Sequence, residues 1–226
     1  MDRLAELKNS HKGKRAFIIG NGPSLKQTDL SKLKGEYTFG LNRIYLMFPE
    51  LGFGTTYFVA VNDLVVEQCV SDITALPMPK FLSWRSHRFF PSGPIPATFL
   101  YTTYDNPAFA HDVRNRVWES ATVTYIALQL AFHMGFEEVV LVGVDHNSNV
   151  PGKANSTIVS QGDDPNHFSP GYFGKGFRWQ LPDFETSEIG YRLARQAYEK
   201  EGRRILDATI GGKLTIFPKI EYKSLF

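Results

Sequence analysis

The chain has 226 residues and a single cysteine, Cys69. One thiol can neither close an internal disulfide nor build a cysteine-rich metal site. No stretch reaches the roughly 18 consecutive apolar residues typical of a membrane-spanning helix. The formal net charge is only +2, which gives no electrostatic reason to expect nucleic acid as a partner. Neither a disulfide scaffold, a membrane span nor a nucleic-acid-binding protein is therefore expected.

The composition is that of a folded domain. Hydrophobic residues make up 42% of the chain and charged residues 21%, which is enough apolar surface to bury a core. The length suits one large domain over residues 1–226. The polar segment 1–15 lacks the apolar core of a secretory signal, so we expect a cytoplasmic protein, either alone or as a homo-oligomer.

Predicted strands and helices alternate along the chain. The apolar run 16–20 is typical of a strand buried on both faces of a parallel sheet. Further strands are predicted at 36–42, 56–62, 79–84, 98–103, 138–144 and 204–207, and helices at 1–13, 63–70, 120–134 and 185–201. This alternation predicts a Rossmann-like α/β fold with a doubly wound, mostly parallel sheet.

Residues 147–182 show no periodicity and are rich in glycine, proline, asparagine and aspartate. A structureless segment of this length inside a domain is uncommon and usually functional. We expect a long lid loop over a site. Its aromatic residues would cover a sugar or base, or else form a subunit interface.

Polar residues follow the predicted strands at their carboxyl ends. In doubly wound sheets ligands bind beyond these ends, so the positions there form a predicted site: Asn21, Asn42, Asn62, Asp145 and His146. A single asparagine at a strand end can simply serve a turn. Three strands with the same ending favour a polar binding site.

The segment GNGPSL, residues 20–25, follows the first strand. Glycines allow unusual backbone angles and a close approach of backbone to phosphate, and amides at a helix start bind anions. The spacing is neither that of the dinucleotide fingerprint nor that of a Walker loop. Five residues are predicted to bind a nucleotide phosphate: Gly20, Asn21, Gly22, Pro23 and Ser24.

Two segments carry a family resemblance. The string IIGNGPSLKQTDLSKL, residues 18–33, resembles the N-terminus of bacterial lipooligosaccharide sialyltransferases, and residues 122–145 resemble their central helix and strand. Asn42 and Asn62 fall where that family has asparagines that contact the nucleotide. The resemblance implies a CMP-sugar donor, no metal, and nucleotide contacts near the helix start from Ser120 and Thr122.

The same features also resemble a broad group of bacterial proteins related to the archaeal 6-hydroxymethylpterin diphosphokinase. This match extends to residues 164–179 and 208–218. Members of the group look like components of surface-polysaccharide assembly, and flagellin glycosyltransferases share the domain. The second resemblance implies the same fold and nucleotide site but leaves the transferred group open.

A histidine of the lid is the candidate general base. Sialyltransferases of this kind use a loop histidine, and here His167 is the choice, because its near-neutral intrinsic pKa suits proton abstraction from a hydroxyl. The resemblance makes Tyr172 the hydroxyl that helps the phosphate leave. Lys175 and Arg178 are possible charge partners, and Trp179 is a lid contact.

The sequence therefore predicts a glycosyltransferase that takes a nucleotide sugar and a glycan or other hydroxyl acceptor, with no cofactor. A first alternative is a diphosphokinase that moves diphosphate from ATP to a hydroxymethylpterin-like molecule. That chemistry needs Mg²⁺, for which Asp145, Asp163 and Asp164 are candidate ligands. A second alternative is a non-catalytic nucleotide-binding module.

Overall fold

A computed structural model describes residues 2–226, in which seven parallel strands form the main sheet. The strands in chain order are β1 Arg15–Ile19, β2 Tyr37–Leu41, β3 Tyr57–Ala60, β4 Lys80–Ser83, β5 Thr98–Leu100, β6 Thr102–Thr103, β7 Val117–Trp118, β8 Glu138–Val142, β9 Thr157–Val159, β10 Arg178–Gln180 and β11 Arg204–Asp207. The main sheet has the order β11-β8-β1-β2-β3-β4-β5. A doubly wound parallel sheet is confirmed.

The chain reverses its direction of winding beside β1. It runs outward from β1 to β5, then returns to place β8 on the other side of β1. Ile19 is paired with both Gly40 and Val142, so β1, β2 and β8 end at one level. Crevices at such a switch point are where doubly wound proteins bind ligands.

Helices cover both faces of the sheet. They are α1 Arg3–Leu7, α2 Phe48–Leu51, α3 Asp63–Gln68, α4 Val70–Ala75, α5 Val123–His133 and α6 Phe184–Lys200. Ala16 and Ile18 of β1 pack in the cluster that contains α5 and α6, whereas Phe17 and Ile19 pack in the cluster that contains α3. Within residues 2–226, none of these helices is long and apolar enough to cross a bilayer.

Helix α5 is buried almost all round, because it lies between the sheet and α6. Gly135 has a φ of +88° just beyond it, as the predicted glycine stop requires. The predicted start at 120 is wrong, however. Ser120 and Ala121 adopt left-handed backbone angles, so the helix begins only at Val123 after the N-cap residue Thr122.

The N-terminal helix is shorter than the predicted 1–13. It covers Arg3–Leu7, and Met1 lies outside the described residues. Asn9 has a φ of 58° and Gly13 a φ of 76°. These left-handed angles replace the helix by turns, which the apolar spacing of Leu4 and Leu7 could not indicate.

The lid, residues 147–182, is more ordered than predicted. Strands β9 and β10 pair antiparallel within it. Arg178 and Gln68 exchange hydrogen bonds between β10 and α3 at 2.8 Å in both directions. The lid is therefore anchored on α3, and the expectation of a structureless loop is wrong.

Three of the lid aromatics belong to the core rather than to a surface. Phe168, Tyr172 and Phe173 are buried in the same cluster as Phe17 of β1, and Phe177 and Trp179 pack against that cluster. Burial of this apolar area fixes the lid to the sheet face. The aromatic content of the segment thus reflects packing first.

Gln129 of α5 connects the helix to the irregular segment between β6 and β8. Its Oε1 accepts from the Ala110 amide at 2.9 Å, and its Nε2 donates to the Trp118 carbonyl at 3.1 Å. Gln129→Leu would leave the buried Trp118 carbonyl without this partner, at about 1–3 kcal/mol, and would also remove the acceptor of the partly buried Ala110 amide. We expect urea unfolding to show this loss.

The matched control is Gln196→Leu, because Gln196 is an exposed residue of α6. Its free energy of unfolding should change by less than about 0.5 kcal/mol. Equal effects of the two substitutions would contradict the structural role given to Gln129.

Candidate functional site

A cleft lies at the carboxyl edge of the sheet. It consists of a large cavity of 670 Å³ and a small cavity of 190 Å³. Both cavities share walls from the start of α5 and from the lid; the shared residues are Ala121, Thr122, Val123, Asn147, Asn166, His167 and Pro182. The two cavities thus meet at the helix start, next to His167.

The glycines of GNGPSL are needed for a close contact inside the protein. A Cβ on Gly20 would lie 2.3 Å from the Gly143 carbonyl oxygen, and one on Gly22 would lie 1.8 Å from Oδ2 of Asp145. The backbone of Gly22 has an ordinary φ of −68°. Space, not unusual backbone angles, therefore accounts for glycine here, which corrects part of the sequence argument.

Asp145 occupies the anion position of this loop. Its carboxylate accepts from the Ser24 amide at 3.1 Å and from the Ser24 hydroxyl at 2.7 Å. Burial raises the pKa of Asp145, while these hydrogen bonds act in the opposite direction. The Ser24 amide is thus bound to a side chain of the protein, and Pro23 has no amide hydrogen to offer.

Helix α5 offers the anion site that the GNGPSL loop does not. Its 11 residues begin at Val123, and Thr122 and Val123 line both cavities. The N-cap Thr122 accepts from the Thr124 amide at 3.3 Å. The first amides of a helix and its dipole favour a phosphate or carboxylate in this position.

Left-handed backbone angles concentrate around the cleft. Five non-glycine residues with positive φ line it: Asn42 at 48°, Ser120 at 51°, Ala121 at 53°, His146 at 55° and Asn155 at 63°. The Ser120 hydroxyl donates to the Thr186 carbonyl at 2.7 Å, so α6 holds this segment in place. Such strained positions cluster at functional sites because they are maintained by surrounding structure.

Three asparagines bring polar atoms to the cleft that have no partner among the described residues. They are Oδ1 of Asn21, Oδ1 of Asn42 and Nδ2 of Asn166, all buried. The other amide groups of two of them are bound, since Asn21 donates to the Leu41 carbonyl and Asn166 accepts from the Asn149 amide. Buried atoms of this kind require a hydrogen-bonding ligand or water.

Asn62 also lines the large cavity, but its amide is used within the protein. Its Oδ1 accepts from the Val65 amide at 3.2 Å and caps α3. Its Nδ2 donates to Gln180 of the lid at 3.0 Å. Asn62 therefore joins α3 to the lid in this structure.

His167 and Asp164 form a hydrogen-bonded pair. Nδ1 of His167 lies 2.7 Å from Oδ2 of Asp164, whose side chain is only 4% exposed. The ring of Tyr172 stacks on His167 at 3.9 Å with an interplanar angle of 4°. In the tautomer in which Nδ1 donates its proton to Asp164, Nε2 carries the free lone pair.

Tyr172 packs against the His167 ring outside the cleft walls. It does not line the cleft, its ring is buried, and its hydroxyl accepts from the Arg43 amide at 3.2 Å. Burial raises the pKa of the Tyr172 hydroxyl. The structure therefore places Tyr172 as a packing partner of His167, away from the position of a phosphate-side donor.

The remaining predicted residues divide between the cleft and its surroundings. His146 lines the small cavity, and its Nε2 lies 3.2 Å from Glu188. Trp179 lines the large cavity. Arg178 pairs with Glu67 of α3 at 2.8 Å, outside the cleft walls, and Lys175 lies outside them as well.

The walls of the cleft, taken over the described residues, include no lysine or arginine. Their charged side chains are Glu119, Asp145 and Asp183, and the two histidines are His146 and His167. An anion in the cleft must therefore be bound by backbone amides, hydroxyls and side-chain amides. This favours a ligand with one phosphate over one with two or three.

Two of the three carboxylates proposed for Mg²⁺ are hydrogen-bonded within the protein. Asp145 is bonded to Ser24, and Asp164 is bonded to His167. Within residues 2–226, no group of three or more histidine, cysteine, aspartate or glutamate side chains could hold a metal ion.

Sequence reasoning did not identify Asp164 as the partner of His167, nor Asn166 as a cleft residue. The signal for Asp164 is its spacing of three residues from His167 in DPNH. That spacing also suits a simple turn, since Asp164 accepts from the Asn166 amide at 3.0 Å. Only the burial of Asp164 beside the ring distinguishes the two roles.

The chain is a Rossmann-like α/β protein with a cleft at the switch point of its sheet. No protein family matches the chain, and no curated protein matches it. Among solved structures, it is similar to the MAf glycosyltransferase from Magnetospirillum magneticum AMB-1, with a TM-score of 0.56 and 15% sequence identity.

That similarity covers 100% of this chain and 38% of the other. The chain thus spans well under half the length of the glycosyltransferase it matches. At 15% identity the likeness is one of fold, and it confirms the α/β Rossmann-like class.

Gly22→Ala tests the close contact between the loop and Asp145. We expect it to destabilise the protein by about 1–3 kcal/mol, because the new methyl group overlaps a buried carboxylate. The free energy of unfolding in urea measures the change. The control is Gly171→Ala in the lid, where no described atom other than its chain neighbours lies within 4 Å of the new Cβ. Equal stability of the two variants would contradict this contact.

Proposed function

We propose that the chain transfers a sugar from a CMP-type nucleotide donor to a hydroxyl group of a glycan or other acceptor. The observation that carries this is the Asp164–His167 pair at the junction of the two cavities. The similarity in fold to a MAf glycosyltransferase supports the general class of reaction.

In this proposal His167 is the general base. Its Nε2 takes the proton of the acceptor hydroxyl as that oxygen bonds to the anomeric carbon of the sugar. The bond from the anomeric carbon to the phosphate oxygen breaks, and the nucleoside monophosphate leaves. Asp164 holds the ring through Nδ1 and stabilises the imidazolium that forms.

The start of α5 is the proposed phosphate site. Thr122 and Val123 at the start of the helix line both cavities together with His167, so the leaving phosphate would lie beside His167. A helix N-terminus stabilises the charge that develops on a departing phosphate. Because Tyr172 is buried behind His167, we assign the stabilisation of the leaving phosphate to α5.

The unpartnered amide atoms supply the proposed nucleotide contacts. Oδ1 of Asn21 and Oδ1 of Asn42 accept hydrogen bonds, whereas Nδ2 of Asn166 donates. Hydroxyl and amino groups of a nucleoside or sugar match the two acceptors, and a ring or carbonyl oxygen matches the donor. A polar, uncharged ligand portion is therefore expected in the cleft.

The lack of lysine and arginine in the described cleft walls supports a monophosphate donor over ATP. The same proposal has three finer parts. They are a sialyltransferase-like activity, a relation to the diphosphokinase-like group and a place in surface-polysaccharide assembly. Their support is the sequence resemblance of residues 18–33 and 122–145.

Nucleotide titration distinguishes the candidate functions. We expect CMP without metal to raise the melting temperature, because a ligand that binds only the folded state stabilises it. ATP should give no comparable shift, with or without Mg²⁺. Stabilisation by ATP and Mg²⁺ alone would contradict the transferase and support the diphosphokinase, whereas no shift with any nucleotide would contradict both.

His167→Ala tests the general base. With CMP-N-acetylneuraminic acid as donor and lactose as acceptor, we expect kcat to fall about 10²–10⁴-fold. The dissociation constant for CMP should stay unchanged, because the phosphate site is on α5. Asp164→Asn should also lower kcat without weakening CMP binding.

The control is His111→Ala, since His111 is exposed and outside the cleft walls. Its kcat should equal that of the unmodified protein. Full transfer by His167→Ala would overturn the base assignment, and CMP binding without any turnover of this donor would overturn the proposed donor class.

A further inference from the structure

An exposed aromatic surface borders the large cavity. Trp84, Tyr101 and Tyr104 are 49%, 55% and 63% exposed, and the rings of Trp84 and Tyr101 lie 5.9 Å apart. Tyr104 itself lines the large cavity. We call these three residues the aromatic platform. Contiguous exposed apolar surface of this kind marks an interaction site.

Hydrogen bonds hold two of the three platform side chains, Trp84 and Tyr104. The Arg85 guanidinium lies 4.3 Å from the centre of the Tyr104 ring, and its Nη2 donates to the Tyr104 hydroxyl at 2.8 Å. Arg85 is itself held by the buried carboxylate of Glu119 at 2.5 Å. Because these bonds already restrain Trp84 and Tyr104, less conformational entropy is lost when a ligand stacks on them.

The platform is also continuous with the cleft. The indole of Trp84 and the guanidinium of Arg85 both donate to the Thr102 carbonyl, at 3.3 Å and 3.0 Å. Arg85 thus links Trp84 to Tyr104, which lies in the same cavity as His167. A ligand that extends from His167 through the large cavity would emerge over these rings.

We propose that the aromatic platform binds a pyranose ring of an oligosaccharide acceptor, one or more sugars away from the hydroxyl that reacts. A pyranose has one face made of C–H groups, which lose contact with water when they stack on an aromatic face. Hydroxyls at the rim of the sugar meet polar groups, here Arg85 and the Tyr104 hydroxyl. This rests on the proposed function, because it assigns the acceptor side of that site.

Binding to a panel of defined oligosaccharides, without donor, tests the proposal. We expect the unmodified protein to bind at least one of them, and Trp84→Ala and Tyr101→Ala to bind it at least about tenfold more weakly. The matched control is Phe226→Ala, because Phe226 is also exposed but stacks on Phe17 in β1, away from the platform. This control should bind the sugar normally.

CMP titration of the same samples separates the two proposals. Loss of oligosaccharide binding in the control as well, or its survival in Trp84→Ala and Tyr101→Ala, overturns the platform. So does a protein that binds CMP and none of the oligosaccharides. A protein that binds oligosaccharides through the platform but not CMP overturns the proposed donor and leaves the platform standing.

Light scattering, which measures the mass in solution, tests whether a second copy of this chain occupies the platform instead of a sugar. If the unmodified protein is a dimer and Trp84→Ala is a monomer, the surface is an interface between copies of this chain, and the sugar platform is overturned. We expect the mass in solution to be the same for both.

Discussion

The cleft depends on the close contact between the chain that follows β1 and the chain that follows β8. The Gly22 amide donates to the Gly143 carbonyl at 2.9 Å, and Asp145 accepts two hydrogen bonds from Ser24. This contact fixes Asn21 at the end of β1. The Phe168 amide then donates to the Asn21 carbonyl at 2.9 Å, so the lid and its neighbouring His167 take their position from the same loop. Strand ends, helix start and lid are thus brought to one place.

Local patterns were enough to predict the sheet. The apolar runs of β1 and β8 are unbroken because strands buried on both faces need apolar residues at every position. Gly135 marks the end of α5 because a glycine readily adopts the left-handed angles of a helix stop. The lid was not predictable in the same way. Its hairpin is held by Gln68 of α3, more than 100 residues away, and no local pattern encodes such a partner. The asparagines show that residue type alone does not predict a side chain's partners. The amide oxygens of Asn21 and Asn42 are buried without a hydrogen-bond partner, whereas that of Asn62 caps a helix.

The electrostatics of the cleft differ from those of a typical polyphosphate site. The described walls contain carboxylates, imidazoles, hydroxyls and amides, and no lysine or arginine. In the proposed site the helix dipole and the first-turn backbone amides of α5 would supply the positive field for a single phosphate, with no side-chain cation required. The left-handed angles of Ser120 and Ala121 turn the chain into that helix, and the Ser120 hydroxyl ties the turn to α6. The strained residues Ser120 and Ala121 thus lie directly before the helix start that we propose as the phosphate site.

A crystal structure of the chain with bound CMP tests the central claim most directly. The proposed function predicts that the phosphate lies at the start of α5, within hydrogen-bond distance of amides around Val123. It predicts that polar groups of the nucleoside contact Asn21, Asn42 or Asn166. It also predicts that Asp145 keeps both hydrogen bonds to Ser24. CMP bound outside the cleft, or a phosphate that displaces Asp145 from the Ser24 amide, would contradict it.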